Sequence, residues 1–281
     1  MKQNKNSLQK IFLSGLLLII VAATASAQKL PKVQGISVRA PKNIKIDGRS
    51  TEWKNGTFQA YNTSDRIYYT MSNDDDNLYL IVRTPGLSEG EKVIRGGVVL
   101  TISHSLSKKT RESASGNVSI KFPIASSDKF FSITQAYDEY NAFKKDTVAY
   151  QKQIDSLTWG VNKMADESFK QIGVVGIKNI EGPLVSIYNE YGIKAMVKID
   201  RKMAFTCELA IPLKYLGISV NAPTKFSYNI ELPGIPPAIN KNPNALAPPT
   251  VERNGGGVSD DFEYVNNPTD FWGVYTLAKN P

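Results

Sequence analysis

Pairs of short β-rich runs joined by tight turns are the feature that most limits the folds open to this chain. The stretch "DRIYYTMSNDDDNLYLIVRT" contains two such runs, residues 66–72 and 78–84, on either side of an Asn-Asp turn. Runs of this length and composition, separated by turn-forming residues, are typical of a β-hairpin. "GGVVLTIS" (96–103) and "NVSIKFPI" (117–124) predict a second strand pair.

The second half of the chain continues this pattern after one interruption. Residues 192–200, 203–212 and 225–232 predict three further strands, and "DFWGVYTLA" predicts a last one. Between about 135 and 171, aromatic and aliphatic residues fall at helical spacings. Strands and helices do not alternate as in a parallel sheet. The expected fold is therefore mainly β, a two-layer antiparallel, jelly-roll-like β-sandwich with a helical insertion around residues 135–171.

Residues 1–27 have the layout of a cleavable signal peptide, with lysines before an apolar run and the small residues Ala25-Ser26-Ala27 at its end. No later stretch approaches the roughly 18 apolar residues that a membrane-spanning helix requires. We expect an exported protein, periplasmic or secreted, with no membrane span after the signal is removed. Cys207 is the sole cysteine, so an internal disulfide is excluded and a buried apolar role is expected.

The expected domain organisation is simple. Residues 28–43 are polar and are interpreted as a leader or tether, and 44–281 as a single β-sandwich domain. Residues 233–261 contain six Pro and four Gly and predict a long loop.

The charge of the chain does not favour nucleic-acid binding. Of 34 basic residues, three lie in the signal, which leaves 31 against 26 acidic residues, a net charge of +5. The basic residues are scattered, apart from a small cluster at 107–113, whereas nucleic-acid binders usually concentrate them on one face.

Sequence motifs for catalysis are absent: there is no Gly-x-Ser-x-Gly, His-Glu-x-x-His or phosphate-binding Gly-x-x-x-x-Gly-Lys. His104 is the only histidine, and its position at the end of a predicted strand favours a structural role. A pair of carboxylates brought together by folding would leave no local trace, so a glycosidase remains a third alternative. An enzyme is not the favoured interpretation, and no cofactor is expected apart from possible calcium.

Four motifs in order resemble the family 9 carbohydrate-binding modules: "IKIDGRSTEW" (44–53), "YYTMSNDDDNLYLIV" (68–82), "CELAIPLKYLGI" (207–218) and "DFWGVYTL" (270–277). The resemblance covers most of residues 44–278. It implies a secreted β-sandwich that binds sugars, often chain ends, between aromatic rings, with calcium holding loops. This chain has no pair of loop positions that matches the two tryptophans of that family.

Aromatic rings and polar edges are the residue types that bind sugars. Trp272, at the entry to the last strand, and Trp53 are the aromatic candidates, although packing is the leading interpretation of Trp53. Tyr61, Asn62 and Asp65 are the candidate edge contacts. Trp159 is expected to pack on the sheet and ranks last among the tryptophans.

An oxygen-rich turn, "SNDDDN", places Asp74, Asp75 and Asp76 together, which is the chemistry that calcium prefers. The same residues also favour turns without any metal. A second acidic cluster lies at 257–263.

The sequence thus predicts an exported, non-catalytic carbohydrate-binding protein whose partner is a glycan or oligosaccharide. The alternative is a periplasmic structural or protein-interaction β-sandwich that docks an envelope protein, which the unmatched tryptophan pair favours.

Overall fold

Two antiparallel sheets contain nearly all the predicted strands. The structure, a computed structural model, describes residues 29–53, 58–124, 148–234 and 260–280, and the chain from Pro31 onward forms one unit. The five-stranded sheet has the spatial order β1 (Ala60–Asn62), β2 (Ile67–Asn73), β3 (Asn77–Arg83), β9 (Phe205–Pro212) and β8 (Lys194–Ile199). The six-stranded sheet has the order β11 (Thr269–Thr276), β10 (Lys225–Leu232), β4 (Val98–Ser103), β5 (Val118–Phe122), β6 (Gln171–Val175) and β7 (Leu184–Ser186). The prediction of a mainly β, two-sheet antiparallel fold is confirmed.

The hairpin that dominates the sequence is β2–β3, with Tyr68 opposite Arg83 and Asn73 opposite Leu78. Its strand bounds differ from the predicted ones by a single residue. In β9, alternate residues including Cys207 and Leu209 point into the core between the sheets. The pleat therefore places Glu208 and Thr206 on the outer face of the five-stranded sheet.

Residues 31–40, predicted to be a tether, are part of the fold. The Gln34 side chain accepts a hydrogen bond from the Met71 N–H and donates one to the Met71 carbonyl, both 2.8 Å. Further along, the Asn73 N–H donates to the Val38 carbonyl. The leader thereby pairs the part of the β2 edge that β1 leaves uncovered. The prediction that the fold starts near Ile44 is wrong, because these partners lie more than thirty residues away in sequence and leave no local pattern.

Four helices lie in the described ranges: α1 (Leu87–Gly96), α2 (Val148–Ser168), α3 (Leu213–Leu216) and α4 (Asp260–Asn266). The predicted helical insertion corresponds to α2, while residues 125–147 lie outside the described chain. Within the described ranges, no helix has both the length and the apolar character needed to cross a bilayer.

The predicted loop 233–261 falls mostly on residues 235–259, which are not described. The last two residues of the predicted loop, 260 and 261, belong to α4. The predicted end of the loop is therefore two residues too late. The short run before the last strand carried too few periodic residues to reveal a helix.

Helix α2 covers the exposed edge of the five-stranded sheet. The side-chain amide of Asn162 donates to the Ile199 carbonyl and accepts from the Ile199 N–H, both at 2.9 Å, so it satisfies the outward-facing backbone groups at the end of β8. Val161 and Ala165 join the core, and Phe169, just beyond the helix, packs edge-on against Phe122. An unpaired strand edge invites association, and α2 prevents it here.

Candidate functional site

Trp53 is a packing residue that fixes the Asp-Gly turn to the sheet. It is 7% exposed, and its indole Nε1 donates to Oε1 of Glu208 at 3.3 Å. The N–H groups of Asp47 and Gly48 donate to the other carboxylate oxygen at 3.0 and 2.9 Å. Burial raises the pKa of Glu208 to about 7, against the opposing effect of these three hydrogen bonds. The first and third family-like motifs therefore meet at a buried carboxylate, and neither presents Trp53 to solvent.

The three predicted edge residues lie in and beside the β1–β2 turn and do not surround Trp53. Asn62 is buried, and its Oδ1 accepts from the Ser64 and Asp65 N–H groups, so it organises the turn. Tyr61 is half-buried, with its ring 4.6 Å from that of Tyr68.

Asp65 lies in a buried polar cluster beneath α1 and α4. Its carboxylate oxygens are shielded from solvent and have no partner at hydrogen-bond distance within the described chain. Burial raises its pKa to about 7, although the nearby Thr269 hydroxyl and Lys92 ammonium oppose this rise. Lys92 is also fully buried and donates to Thr269 Oγ1 at 2.9 Å; burial lowers its pKa to about 8. This cluster places two titratable side chains inside the fold.

Trp272 is half-buried on β11, opposite Asn229 of β10. The Arg111 guanidinium lies 4.5 Å above its ring, so one face of the indole already has a cationic partner. The loop that sequence analysis placed beside Trp272 falls largely outside the described residues.

Two of the three aspartates of the predicted calcium turn, Asp74 and Asp75, have side-chain partners of their own. Asp74 accepts from the Asp76 and Asn77 N–H groups and from the Tyr79 hydroxyl. Burial raises the pKa of Asp74, but these hydrogen bonds outweigh it and hold the pKa below its usual value. Asp75 pairs with Arg39 at 2.9 Å. No group of three metal-ligating side chains comes together in the described ranges, and the calcium interpretation remains a prediction.

His104 and Cys207, the only histidine and the only cysteine in the sequence, have structural contacts. The His104 ring nitrogen Nε2 lies 2.9 Å from the Leu216 carbonyl oxygen. Cys207 is fully buried, and burial raises the pKa of its thiol.

Trp159, ranked last from the sequence, is the exposed tryptophan of the described chain. It is 66% exposed and lines a groove of about 710 Å³ between α2 and residues 48–51. The prediction that it packs on the sheet is wrong. The buried face of α2 is set by Ile154, Val161 and Ala165, and at 100° per residue Trp159 lies about 140° from Ile154. The helical periodicity itself therefore could have placed this ring outside.

The floor and rim of the Trp159 groove are lined by ion pairs. On its floor, Arg83 pairs with Asp200 and donates to Thr206 Oγ1. At the rim, Lys198 pairs with Asp166 at 2.5 Å, and Arg201 pairs with Asp155 at 2.6 Å. Lys163 extends over Trp159, with Nζ 5.1 Å from the ring centroid. The groove therefore combines an exposed ring with many hydrogen-bonding side chains.

A second groove, of about 620 Å³, lies farther along the same helix, at its C-terminal end, where Ala165 and Asp166 line it. Tyr188, 78% exposed, lines it with Phe169 and Met196. The Lys170 ammonium lies 5.5 Å from the Tyr188 ring centroid. The sequence carries no signal for Tyr188, because an isolated aromatic residue in a turn belongs to no periodic pattern.

Comparison with known proteins adds no assignment. The chain matches no protein-family model, and no curated protein matches it. The grooves beside α2 therefore have to be interpreted from their own chemistry.

Proposed function

We propose that this protein is an exported, non-catalytic carbohydrate-binding protein that binds a glycan in the groove beside Trp159. The observation that carries the proposal is an indole two-thirds exposed in a groove that is otherwise lined mainly by charged and hydroxyl side chains. An aromatic face packs against the C–H face of a pyranose, and polar groups at its edge bind the hydroxyls. Export is inferred from the signal-like first 27 residues.

The groove suits binding better than catalysis. Its carboxylates, Asp155, Asp166 and Asp200, are each paired with a cation. These contacts engage each carboxylate with a protein partner instead of leaving it open to a reacting group. Within the described residues, this leaves Trp159 as a platform and the ion pairs as a hydrogen-bonding rim.

Isothermal titration calorimetry of the mature chain against a panel of oligosaccharides tests the proposal. Trp159→Ala should weaken binding by tenfold or more, since buried aromatic contacts commonly contribute more than about 1 kcal/mol. Trp159→Phe should retain part of the affinity because a flat ring remains. Leu106→Ala removes an exposed apolar side chain that does not line the groove and serves as the matched control. Equal affinity of Trp159→Ala and the parent chain would exclude this groove.

The alternative, docking of an envelope protein, is favoured by the second exposed aromatic, Tyr188, on the same side of the fold as α2. A pull-down from an envelope fraction distinguishes the two. A stoichiometric protein partner that is retained by the parent chain and lost by Trp159→Ala, without any oligosaccharide binding, would support the alternative.

A further inference from the structure

We infer that the ligand is an acidic oligosaccharide whose chain spans both grooves, from Trp159 to Tyr188. This inference rests on the proposed carbohydrate binding and specifies its substrate class. Three observations carry it: the grooves are continuous, each contains an exposed ring beside a lysine, and their lining has surplus positive charge.

The two grooves share part of their lining. Arg49, Asp166 and Lys198 line both, so the grooves meet at the Lys198–Asp166 ion pair. Each groove alone falls within the roughly 300–1,000 Å³ typical of a site for one small ligand. Two such volumes that follow each other along one helix fit a chain of several sugar units better than a single sugar.

The two grooves together form one cleft. Each end of the cleft has the same arrangement of an aromatic ring and a lysine. Lys163 lies above Trp159 in one groove, and Lys170 lies above Tyr188 in the other. The Lys170 ammonium is also 3.4 Å from the Tyr188 hydroxyl. A sugar stacked on either ring would have its substituents within reach of an ammonium group. An anionic substituent suits this position in either groove, because the lysine of that groove would pair with it directly.

The charges of the cleft do not balance. Arg83, Lys198 and Arg201 are each paired with an aspartate, as described above. Three further cations, Arg49, Lys163 and Lys170, have no carboxylate within ion-pair distance in the described chain. The remaining acid, Asp47, accepts the Arg49 backbone N–H through Oδ1. The unpaired cations therefore outnumber the unpaired acids, and a ligand with several negative charges complements them.

Either a uronic acid carboxylate or a sulfate ester would supply this charge, and the experiment separates them. Calorimetry of the mature chain would compare a hexagalacturonate, a digalacturonate, a sulfated hexasaccharide and a neutral hexaglucan, each at low and high salt. We expect an acidic hexasaccharide to bind at least tenfold more tightly than the neutral one and than the disaccharide. Its affinity should fall as salt is raised.

Variants assign the two ends of the cleft. Lys163→Gln and Lys170→Gln should each weaken binding of the acidic hexasaccharide several-fold, while Lys152→Gln, on an exposed position of α2 outside the cleft, should leave it unchanged. Tyr188→Ala should weaken binding of the hexasaccharide, whereas Trp159→Ala should weaken binding of both chain lengths. Thermal denaturation of each variant shows whether it is folded.

The outcomes separate this inference from the proposed function. If the neutral hexasaccharide binds as tightly as the acidic ones and the lysine variants have no effect, the acidic class is overturned and carbohydrate binding stands. If Tyr188→Ala and Lys170→Gln change nothing, the spanning arrangement is overturned. If polyglutamate competes as well as the acidic sugar, the surface recognises charge alone and the inference fails. If no oligosaccharide binds, both proposals fail.

Discussion

The indole of Trp53 and the carboxylate of Glu208, 155 residues apart in sequence, form a buried hydrogen bond on the outer face of the five-stranded sheet. This contact attaches the loop that precedes β1 to the middle of β9. The first and third motifs that resemble a sugar-binding family therefore contact each other and hold this loop on the sheet. A loop held in this way forms one wall of the Trp159 groove, since residues 48–51 line it.

Trp53→Phe should lower the free energy of unfolding by about 1–3 kcal/mol, because Glu208 loses a donor while remaining buried. Binding in the Trp159 groove should change little if the loop keeps its place. Urea denaturation followed by circular dichroism measures the first effect, and calorimetry the second. Trp272→Phe, at a half-buried ring on the other sheet that contacts Arg111, is the matched control. A stable Trp53→Phe variant that loses sugar binding would instead make Trp53 a ligand contact.

Gly48→Ala should be more damaging than its size suggests. Gly48 has φ of 78°, in the left-handed region, and an added Cβ would lie 2.6 Å from Lys198 Cγ and 2.9 Å from the Lys198 backbone nitrogen. The turn has to shift, which weakens the two N–H bonds to Glu208 and opens the wall of the groove. We expect destabilisation by about 2 kcal/mol or more, together with weaker ligand binding.

The control for that variant is Gly116→Ala. Gly116 has a similar φ of 89°, but nothing lies within 4 Å of an added Cβ. It therefore reports the backbone strain alone, which costs about 1 kcal/mol. Equal effects at the two positions would show that the contact with Lys198 contributes nothing.

Asp65 and Glu208 should make the fold less stable as pH rises from about 4 to 7. Burial raises the pKa of each to about 7, so the unfolded chain releases its proton first and is favoured over this interval. Each group contributes at most about 1.4 kcal/mol per pH unit. Urea denaturation at pH 5 and pH 8 should give a smaller difference for Asp65→Asn than for the parent chain. Glu112→Gln, at an exposed position, should retain the full difference. An unchanged pH dependence in Asp65→Asn would show that its carboxyl titrates normally.

Sequence patterns predicted the parts of the fold whose partners are close in sequence. The β2–β3 hairpin was found because Tyr69, Met71, Leu78 and Leu80 lie in adjacent runs around one turn. The pairing of Gln34 with Met71 was missed because a single glutamine in a polar stretch carries no strand period. Strands β1 and β7 were missed because three residues are too few to establish an alternation, and β6 because Gly173 interrupts its short β-rich run.

The candidate site was located less well, for a different reason. Residue type drew attention to Trp53 and Trp272, but whether a ring binds or packs depends on its partners. Glu208 is far from Trp53 in sequence and holds that ring inside the fold, and Arg111, similarly distant from Trp272, lies over one face of that indole. Only Trp159 carried a local signal, its angular offset from the apolar face of α2.

Asn162 should be required both for the stability of the edge strand and for the position of the groove helix. Asn162→Ala removes the donor and the acceptor that satisfy the Ile199 carbonyl and N–H. We expect a loss of about 1–3 kcal/mol in the free energy of unfolding and a greater tendency to associate through the exposed β8 edge. Denaturation and light scattering measure these effects. Asn162→Asp retains the acceptor for the Ile199 N–H and loses only the donor, so it should fall between the parent chain and Asn162→Ala. A monomeric Asn162→Ala variant of unchanged stability would show that α2 protects this edge by other contacts.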